Sequence, residues 1–285
     1  YGVACGEKNV LFTNNDSAYE TAISLYQKGI NIEAVIDNRE EIDSKLIKEI
    51  EKNNIKVYKG YTVVDTSGYK RINKISIMQL SKDGQKVTGS KISINCDCLG
   101  ISGGWTPAVH LFTQSGGKLK FRDEDQVFIP NIYPSDQISI GSCNGDFTLN
   151  EILSNVPKNL KEFLNIKKTD YENLEVNSSF NKSKRNIWLL PSDKIIGKTK
   201  PFVDYQNDAT AKDIKLALRE GFRSIEHVKR YTTTGMGTDQ GKLGNMHALG
   251  IISETAGSKM GELGTTTFRP PYTPLTFGTI VGRNV

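Results

Sequence analysis

The amino-acid sequence predicts an α/β protein in which a parallel sheet is followed by a three-stranded antiparallel meander and then by a small helical domain. Over residues 9–59, apolar strand-like runs alternate with helical patterns. Three β-rich runs follow over residues 61–96, and residues 201–258 carry apolar side chains at helical spacing between glycine-rich breaks. The order strand, helix, strand, helix, strand, meander, strand is typical of an open parallel sheet with an antiparallel crossover.

Composition limits the classes of protein to consider. The chain has 285 residues, of which 37% are hydrophobic, a formal net charge of +5 and four cysteines. We expect no membrane span, because no apolar run approaches the roughly 20 residues that a helix needs to cross a bilayer. We expect no nucleic-acid partner, because the lysines are dispersed and are not interleaved with aromatic residues.

The cysteines and the chain start add two expectations. The four cysteines are too few for a disulfide framework and suit a reducing compartment, so we expect a cytoplasmic protein. The chain starts at Tyr1, without an initiator methionine or a signal-like segment. We therefore expect an internal piece of a longer chain.

The opening strand, helix and strand, residues 9–37, have the outline of a nucleotide-binding unit, but their first turn has no glycine. In dinucleotide-binding folds this turn needs small residues, so that the backbone and the helix N-terminus can approach the pyrophosphate. Thr13, Asn15 and Ala18 stand where the three glycines would be, and asparagine adopts left-handed dihedral angles and donates amide hydrogens. Asp16 opposes this prediction, because its carboxylate caps a helix well but repels phosphate. A phosphate-binding turn and a purely structural unit both remain open.

Two further segments lie at positions that correspond to parts of a dinucleotide-binding site. Asp37 lies where an acid accepts hydrogen bonds from the adenosine ribose, which favours NAD over NADP; the alternative is a strand-end turn residue beside Asn38. Arg39 is placed to meet a 2′-phosphate or to lie over an adenine. The run SGGWTP at residues 102–107 resembles a strand-end turn that closes over a dinucleotide, or else a tight turn with a packed Trp105. The predicted NAD-binding residues are Thr13, Asn14, Asn15, Asp16, Ser17, Asp37, Asn38, Arg39, Ser102, Gly103, Gly104 and Trp105.

No catalytic or metal-binding residue is predicted. Cys96 and Cys98 stand at a strand end with their side chains on one face, but the sequence has no second cysteine pair to complete a zinc site. His110, His227 and His247 have no acid or nucleophile at a meaningful spacing, so we expect structural roles for them.

The helical domain has recognisable boundaries. Thr210, with Asp213 three residues later, predicts a capping box, and Gly221 is placed to end that helix. Ser224 and Asn245 are the expected N-caps of two further helices.

Several runs together resemble one protein family along most of the chain. These runs are LFTNNDSAY, SGGWTPAVHLFTQSGGKLKF, FVDYQNDATAKDIKLALREGFRSIEHVKRYTTTGMGTDQGKLGN and GTTTFRPPYTPLTFG. They closely resemble the α (large) subunit of heterotetrameric sarcosine oxidase. The resemblance implies an inserted NAD-binding Rossmann-like domain, a small helical domain and, further on, a folate-binding aminomethyltransferase-like domain.

The expected domain boundaries follow from this resemblance. We expect an NAD-binding domain at residues 1–107, a return segment of the first dinucleotide-binding domain at 108–155, a linker at 156–200, a small helical domain at 201–258, and a connector toward the folate-binding domain at 259–285.

The helical domain also resembles small two-iron, two-sulfur domains of related amine and opine dehydrogenase subunits. At the positions where those domains carry cluster-ligating cysteines, this chain has Asp204, Gln206, Asp239 and Gly244. Thiolates hold such clusters. We therefore expect a cluster-free domain that is retained for packing and subunit contact.

The resemblance also implies the activity and the partners. In this family the amine is oxidised at an FAD of the β subunit, electrons pass through an FMN at the α/β boundary to oxygen, and the one-carbon unit reaches tetrahydrofolate. We expect a cytoplasmic enzyme that demethylates sarcosine to glycine with β, γ and δ partner subunits, in which this segment binds NAD and supports assembly. Two alternatives remain open. One is a vestigial nucleotide fold that acts as an assembly scaffold; the other is the α subunit of a related amine or opine dehydrogenase, against which the missing cysteines count.

Overall fold

The computed structural model divides the chain into two compact units. The structure describes residues 3–134, 136–166, 176, 186–270 and 272–283. The first unit comprises Tyr1–Trp105 with Ser179–Ile195, and the second comprises Thr106–Ser178 with Ile196–Val285. All three segments predicted to bind NAD therefore belong to the first unit.

The first unit is built on a four-stranded parallel sheet with the order β3-β2-β1-β7. Its elements are β1 (Asn9–Thr13), α1 (Ser17–Gln27), β2 (Ile32–Asp37), α2 (Ser44–Lys52), β3 (Lys56–Lys59), β4 (Tyr61–Gly68), β5 (Ile72–Leu80), β6 (Val87–Asn95) and β7 (Cys98–Ser102). Thr13 pairs with Asp37 on one side and with Ser102 on the other. The carboxyl ends of β1, β2 and β7 thus lie side by side, which is where open α/β sheets bind ligands.

Each face of the parallel sheet is covered by a different layer. Strands β4, β5 and β6 form the predicted antiparallel meander. Because side chains alternate along a strand, Val10 and Ile36 point to one face, where they pack with Ile75 and Ile77 of β5 in a fully buried cluster. Val35 belongs to a separate cluster with the buried residues of α1 and α2. The parallel sheet with an antiparallel meander is confirmed.

The second unit contains a hairpin and several helices. Its elements are α3 (His110–Gln114), β8 (Lys118–Arg122), β9 (Val127–Ile132), α4 (Leu149–Phe163), β10 (Phe202–Asp204), β11 (Ala209–Thr210), α5 (Ala211–Arg219), α6 (Ile225–Thr232), α7 (Asn245–Ala256), α8 (Met260–Leu263) and α9 (Phe277–Val281), with 3₁₀ turns at Gly141–Asn144 and Ile196–Lys198. Strands β8 and β9 pair antiparallel, as do β10 and β11. Within the described ranges, no helix is both long enough and apolar enough to cross a bilayer.

The sequence signals around α5 and α6 match the structure. Thr210 and Asp213 form a reciprocal capping box at the start of α5. Gly221 follows the end of α5 with a φ of +98°, a left-handed conformation that glycine adopts at little cost. Ser224 is the N-cap of α6 by its backbone position, without a capping hydrogen bond from its side chain.

The predicted cap of α7 is wrong by one residue. Gly244 is the N-cap, and Asn245 is the first residue of the helix. The buried Asn245 side chain does not turn back to the helix amides, because its amide nitrogen donates to Thr266 Oγ1 at 3.0 Å.

Helix α4 crosses the boundary predicted between residues 155 and 156. Thr148 and Glu151 form a capping box that fixes its start. The helix continues to Phe163 with Pro157 inside it, so residues 156–163 of the predicted linker are helical.

The rest of the predicted linker and connector differs from a simple extended chain. Residues 167–175 and 177–185 of the predicted linker lie outside the described residues. In the part that is described, Leu190 packs against the buried cluster of the first unit. The predicted connector contains the short helices α8 and α9.

We expect Ile75→Ala to lower the free energy of unfolding of the first unit by about 2–5 kcal/mol, because the truncation leaves a cavity between the meander and the parallel sheet. Both tryptophans, Trp105 and Trp188, belong to the first unit, so urea unfolding followed by tryptophan fluorescence reports on that unit. Ile101→Ala is the matched control, since Ile101 is in β7 and is 60% exposed. An equal loss of stability in both variants would contradict this packing.

Candidate functional site

The turn after β1 is closed by side-chain hydrogen bonds. Thr13 Oγ1 accepts from the Asn15 amide at 3.1 Å and donates to the Asn15 carbonyl oxygen at 3.0 Å. Both residues are buried, with exposed fractions of 2% and 0%. A short polar side chain therefore fixes this turn where a dinucleotide fold has glycine.

Asn15 joins the start of α1 to the end of β7. Its Oδ1 accepts from the backbone amide of Ser17 at 3.2 Å and from Ser17 Oγ at 2.6 Å. Its Nδ2 donates to Ser102 Oγ at 3.0 Å and to Asn14 Oδ1 at 3.0 Å. Asn15 thus supplies the side-chain bond to the first turn of α1. The expected capping by Asp16 is wrong: Asp16 is the N-cap by position, but its side chain makes no capping hydrogen bond.

Asp16 instead belongs to a buried ion-pair network. Arg39 Nη1 lies 2.8 Å from Asp16 Oδ1, and Arg39 Nη2 lies 2.7 Å from Asp37 Oδ2. Asp37 Oδ1 accepts from the Arg39 backbone amide at 2.8 Å and from its Nε at 3.1 Å. Tyr19 of α1 donates its hydroxyl to Asp37 Oδ2 at 3.1 Å. One guanidinium therefore pairs with two carboxylates, and α1 is tied to the end of β2.

The burial of this network affects its titratable groups. Burial, followed by the Asp37 charge, raises the pKa of Tyr19 well above its usual range, so the phenol remains a hydrogen-bond donor. Burial alone would lower the pKa of Arg39, but its hydrogen bonds and ion pairs with the carboxylates outweigh that effect and raise it. The Arg39 guanidinium therefore remains cationic at neutral pH.

In the structure, Asp37 and Arg39 bind each other, which differs from the nucleotide-binding roles that the sequence predicts for them. Asp37 is fully buried, and both its oxygens accept hydrogen bonds from Arg39 or Tyr19. Arg39 is 8% exposed, and its guanidinium lies between the two carboxylates. In this conformation Asp37 does not fit a ribose acceptor, and Arg39 does not fit a ligand for a 2′-phosphate or an adenine.

A second set of predicted residues forms the outer lip of the same edge. Gly103 and Gly104 are exposed, Asn14 Nδ2 donates to the Gly103 carbonyl oxygen at 3.0 Å, and Trp105 Nε1 donates to Ser17 Oγ at 3.1 Å. The Trp105 side chain is 60% exposed, so the alternative of a packed tryptophan is wrong. Gly104 has a φ of +108°, which favours glycine at this turn.

The predicted residues therefore divide into two layers. The inner layer is buried and satisfied by the chain itself, and consists of Thr13, Asn15, Asp16, Asp37 and Arg39. The outer layer is at least partly exposed, and consists of Asn14, Ser17, Asn38, Ser102, Gly103, Gly104 and Trp105. An indole ring, side-chain amides and the first turn of α1 are groups that can contact the phosphates or a ring of a dinucleotide.

In the second unit, Asp204 and Gln206 stand where the resembling two-iron, two-sulfur domains carry cluster cysteines, and their side chains hold the loop around Gly235 and Thr238. Asp204 is buried, and its oxygens accept from the backbone amides of Gln206 at 2.8 Å, Asn207 at 2.9 Å and Gly235 at 2.7 Å. Gln206 Oε1 accepts from the Thr238 amide at 2.6 Å. Two short segments are thus joined by carboxylate and amide oxygens. Burial by itself raises the pKa of Asp204, but the three amides more than offset it and hold the pKa below its usual range.

The other two positions are also unsuited to hold a cluster. Asp239 Oδ1 accepts from the Gly241 amide at 3.2 Å. At Gly244, an added Cβ would lie 2.5 Å from the Val203 carbonyl oxygen. Among the residues that the structure describes, no group of three or more His, Cys, Asp or Glu side chains could hold a metal ion.

His110 lies in an aromatic stack. Its ring centroid is 3.9 Å from that of Phe268 and 5.6 Å from that of Tyr272. Burial, and then the charge of Lys242, lower the pKa of His110 to about 4, so the ring is neutral at physiological pH. This position agrees with the structural role expected for it.

Comparison with known proteins agrees with the resemblance seen in the sequence. Residues 198–283 match the family described as the sarcosine oxidase A3 domain. The chain is 33% identical to sarcosine oxidase subunit alpha of Rhizobium meliloti (strain 1021), covering 99% of this chain and 27% of that protein. It is 32% identical to sarcosine oxidase subunit alpha of Corynebacterium sp. (strain P-1), covering 99% of this chain and 30% of that protein.

A solved structure shows the same fold. The L-proline dehydrogenase of P. horikoshii superposes with a TM-score of 0.57 at 16% identity, over 99% of this chain and 51% of that one. The present chain spans less than a third of the length of the curated relatives that it matches. It is homologous to sarcosine oxidase α subunits along nearly its whole length.

We expect Arg39→Met to lower the free energy of unfolding of the first unit by about 3–5 kcal/mol, because it leaves two buried carboxylates without their cation. Urea unfolding followed by tryptophan fluorescence measures the loss. Arg71→Met, at an exposed arginine of the same unit, should change stability by no more than about 0.5 kcal/mol. Adding Asp37→Asn to Arg39→Met should restore part of the loss, since it removes one unpaired charge. If Arg39→Met resembled Arg71→Met, the network would not stabilise the unit.

We expect Asp204→Ala to speed hydrogen exchange of the Gly235 and Asn207 amides by about tenfold or more, because both lose their acceptor. Asp123→Ala, at an exposed aspartate of the second unit, is the control. Because the folded-state pKa of Asp204 is lowered, its stabilisation is present above the ordinary carboxyl pKa of about 3.9 and is lost as pH falls through the folded-state value. Acid unfolding of the variant should therefore depend less steeply on pH, and an unchanged profile would contradict this role.

Proposed function

We propose that this homologue of sarcosine oxidase α subunits forms part of the α subunit of a heterotetrameric sarcosine oxidase. The complete enzyme would oxidatively demethylate sarcosine to glycine in the cytoplasm, with hydrogen peroxide and formaldehyde or 5,10-methylenetetrahydrofolate as products. The supporting observation is the similarity to two sarcosine oxidase α subunits over 99% of this chain. Sarcosine-dependent oxygen uptake by the complete α subunit, assembled with its partner subunits, tests this proposal; a complex that oxidises only other amines would overturn it.

The residues described here would support that reaction without taking part in it. We assign no catalytic residue to this chain, because in the family that it resembles the amine is oxidised at an FAD of the β subunit. In the complete enzyme we expect FAD and FMN to carry the redox chemistry, tetrahydrofolate to accept the one-carbon unit, and β, γ and δ subunits to complete the assembly. This chain would supply part of the assembly surface.

Within the α subunit, the first unit is proposed to bind NAD on the outer lip of the sheet edge. The lip has a half-buried amide at Asn14, a hydroxyl at Ser17, two exposed glycines and an exposed indole at Trp105. These groups surround the first turn of α1, whose positive dipole end favours a phosphate. The inner ion pairs then hold the turn in place, and the pairing of Asp16 with Arg39 reduces the repulsion that argued against phosphate.

The second candidate is a nucleotide fold that serves only as an assembly scaffold. The observation that favours it is the position of Asp37, which is fully buried and hydrogen-bonded to Arg39 and Tyr19 instead of facing a ribose. A related amine or opine dehydrogenase α subunit is the third candidate, and the lack of thiolates at Asp204, Gln206, Asp239 and Gly244 counts against it.

Titration calorimetry with NAD separates the first two candidates. If the lip binds NAD, Trp105→Ala should weaken binding by roughly tenfold, because a stacked ring contributes about 1–3 kcal/mol to binding of a base. Tyr69→Ala is the matched control, since Tyr69 is a 96% exposed aromatic residue elsewhere in the first unit. No heat of binding at millimolar NAD would support the scaffold. Equal affinities for both variants would place any NAD site away from the lip.

A further inference from the structure

The N-terminal segment of the first unit lies against the start of β7. The backbone amides of Glu7 and Lys8 donate to the two carboxylate oxygens of Asp97, at 3.0 and 2.8 Å. These bonds hold the pKa of the partly buried Asp97 below its usual range. The Asp97 amide in turn donates to the Lys8 carbonyl oxygen at 3.0 Å. The segment before β1 is therefore fixed beside the residue that precedes Cys98.

This arrangement brings Cys5 close to Cys98. A Cβ built on Gly6 would lie 2.6 Å from the Cys98 Cβ, so the backbone of Gly6 passes directly over that side chain. Consecutive Cα atoms are about 3.8 Å apart, which puts the Cys5 Cα within about 8 Å of the Cys98 Cβ. Burial, and then the charge of a nearby Cys5 thiolate, raise the pKa of the Cys98 thiol. The electrostatic coupling agrees with the geometry.

The two thiols also differ in access. Cys5 is exposed, and residues 3–6 have no regular secondary structure, so its side chain is free to turn toward Cys98. Cys98 is partly buried. The other two cysteines are worse partners: Cys96 is 2% exposed within the buried cluster, and Cys143 belongs to the second unit, where its thiol donates to the Ile140 carbonyl oxygen.

We propose that Cys5 and Cys98 form a reversible disulfide when the protein meets a hydroperoxide. The Cys5 thiolate attacks one peroxide oxygen; for hydrogen peroxide, the O–O bond breaks, hydroxide leaves and takes up a proton, and Cys5 becomes a sulfenic acid. The Cys98 thiolate then attacks the Cys5 sulfur, the S–O bond breaks, and the leaving hydroxide takes up the proton lost by the Cys98 thiol to form the second water. Two thiols are oxidised by two electrons, and one peroxide is reduced to two waters.

The disulfide would tie the chain entering β1 to the start of β7. These strands are neighbours in the sheet, and β7 ends at Ser102, next to the outer lip. Oxidation therefore closes a loop that includes β1, β2, β3 and the meander. The proposed oxidase would itself be a source of hydrogen peroxide. The chemistry at the two thiols does not depend on that activity.

Peptide mapping after treatment with hydrogen peroxide tests the proposal. The reduced protein is exposed to peroxide, its remaining thiols are blocked with N-ethylmaleimide, and the digest is searched for linked peptides. We expect a Cys5–Cys98 peptide about 2 Da lighter than the sum of its parts, which dithiothreitol separates. Cys5→Ser should abolish this peptide, and Cys143→Ser, the control, should leave it unchanged.

A second measurement follows the structural effect. Oxidation should raise the Tm of the first unit by at least about 3 °C, because the crosslink restrains the unfolded chain. The Cys5→Ser variant should show no rise. The proposal is overturned if peroxide leaves Cys5 and Cys98 open to alkylation, oxidises Cys5 without a crosslink, or links Cys98 to Cys96. Because peroxide is added directly, these outcomes are independent of whether the assembled enzyme oxidises sarcosine.

Discussion

The buried pairing of Arg39 with Asp16 and Asp37 determines the form of the sheet edge. Two carboxylates and a guanidinium cannot remain buried unless each charge is paired and hydrogen-bonded. The planar guanidinium can satisfy both, because its donors point in several directions in one plane, whereas an ammonium group is a point charge. Asp37 ends β2 and Asp16 begins α1, so the network fixes the helix against the strand. Tyr19 adds a second tie from the same helix to Asp37.

The turn after β1 contains no glycine, and the Asn15 side chain explains how it is closed. In a glycine-rich turn the backbone comes close to the ligand, and its amides remain open for phosphate. Here the space inside the turn holds the Asn15 side chain, which bonds the Ser17 amide and the Ser102 hydroxyl. The inner groups are consequently used for structure, and the predicted site residues with polar groups at the surface are those of the outer lip. The NAD and scaffold proposals differ only in what this lip does.

The sequence predicts secondary structure well where a periodic apolar pattern defines a strand or helix. It predicts less well which side chains contact each other when they are distant in the chain. Alternating apolar runs predicted the parallel sheet and the meander, because burial on one or both faces imposes that pattern. The sequence motif assigns Asp16, Asp37 and Arg39 separate roles, although opposite charges that follow adjacent strands indicate that they pair. The sequence spacing associates Cys98 with Cys96, whereas the structure places the segment of Cys5 beside it. Only the fold of the N-terminal segment over β7 brings those two together.

In both units, side-chain oxygens accept hydrogen bonds from backbone amides at the place where the family resemblance implies a cofactor. Buried backbone amides must find acceptors whether or not a cofactor is bound. In the first unit Asn15 and Thr13 are the acceptors, and in the second unit Asp204 and Gln206 are. A thiolate-bound cluster joins two loops through its metal ions; a carboxylate that accepts amides from both segments joins them directly. Loss of the cysteines therefore need not disrupt the domain. The side chains that stand in place of the thiolates hold these two segments of the second unit together.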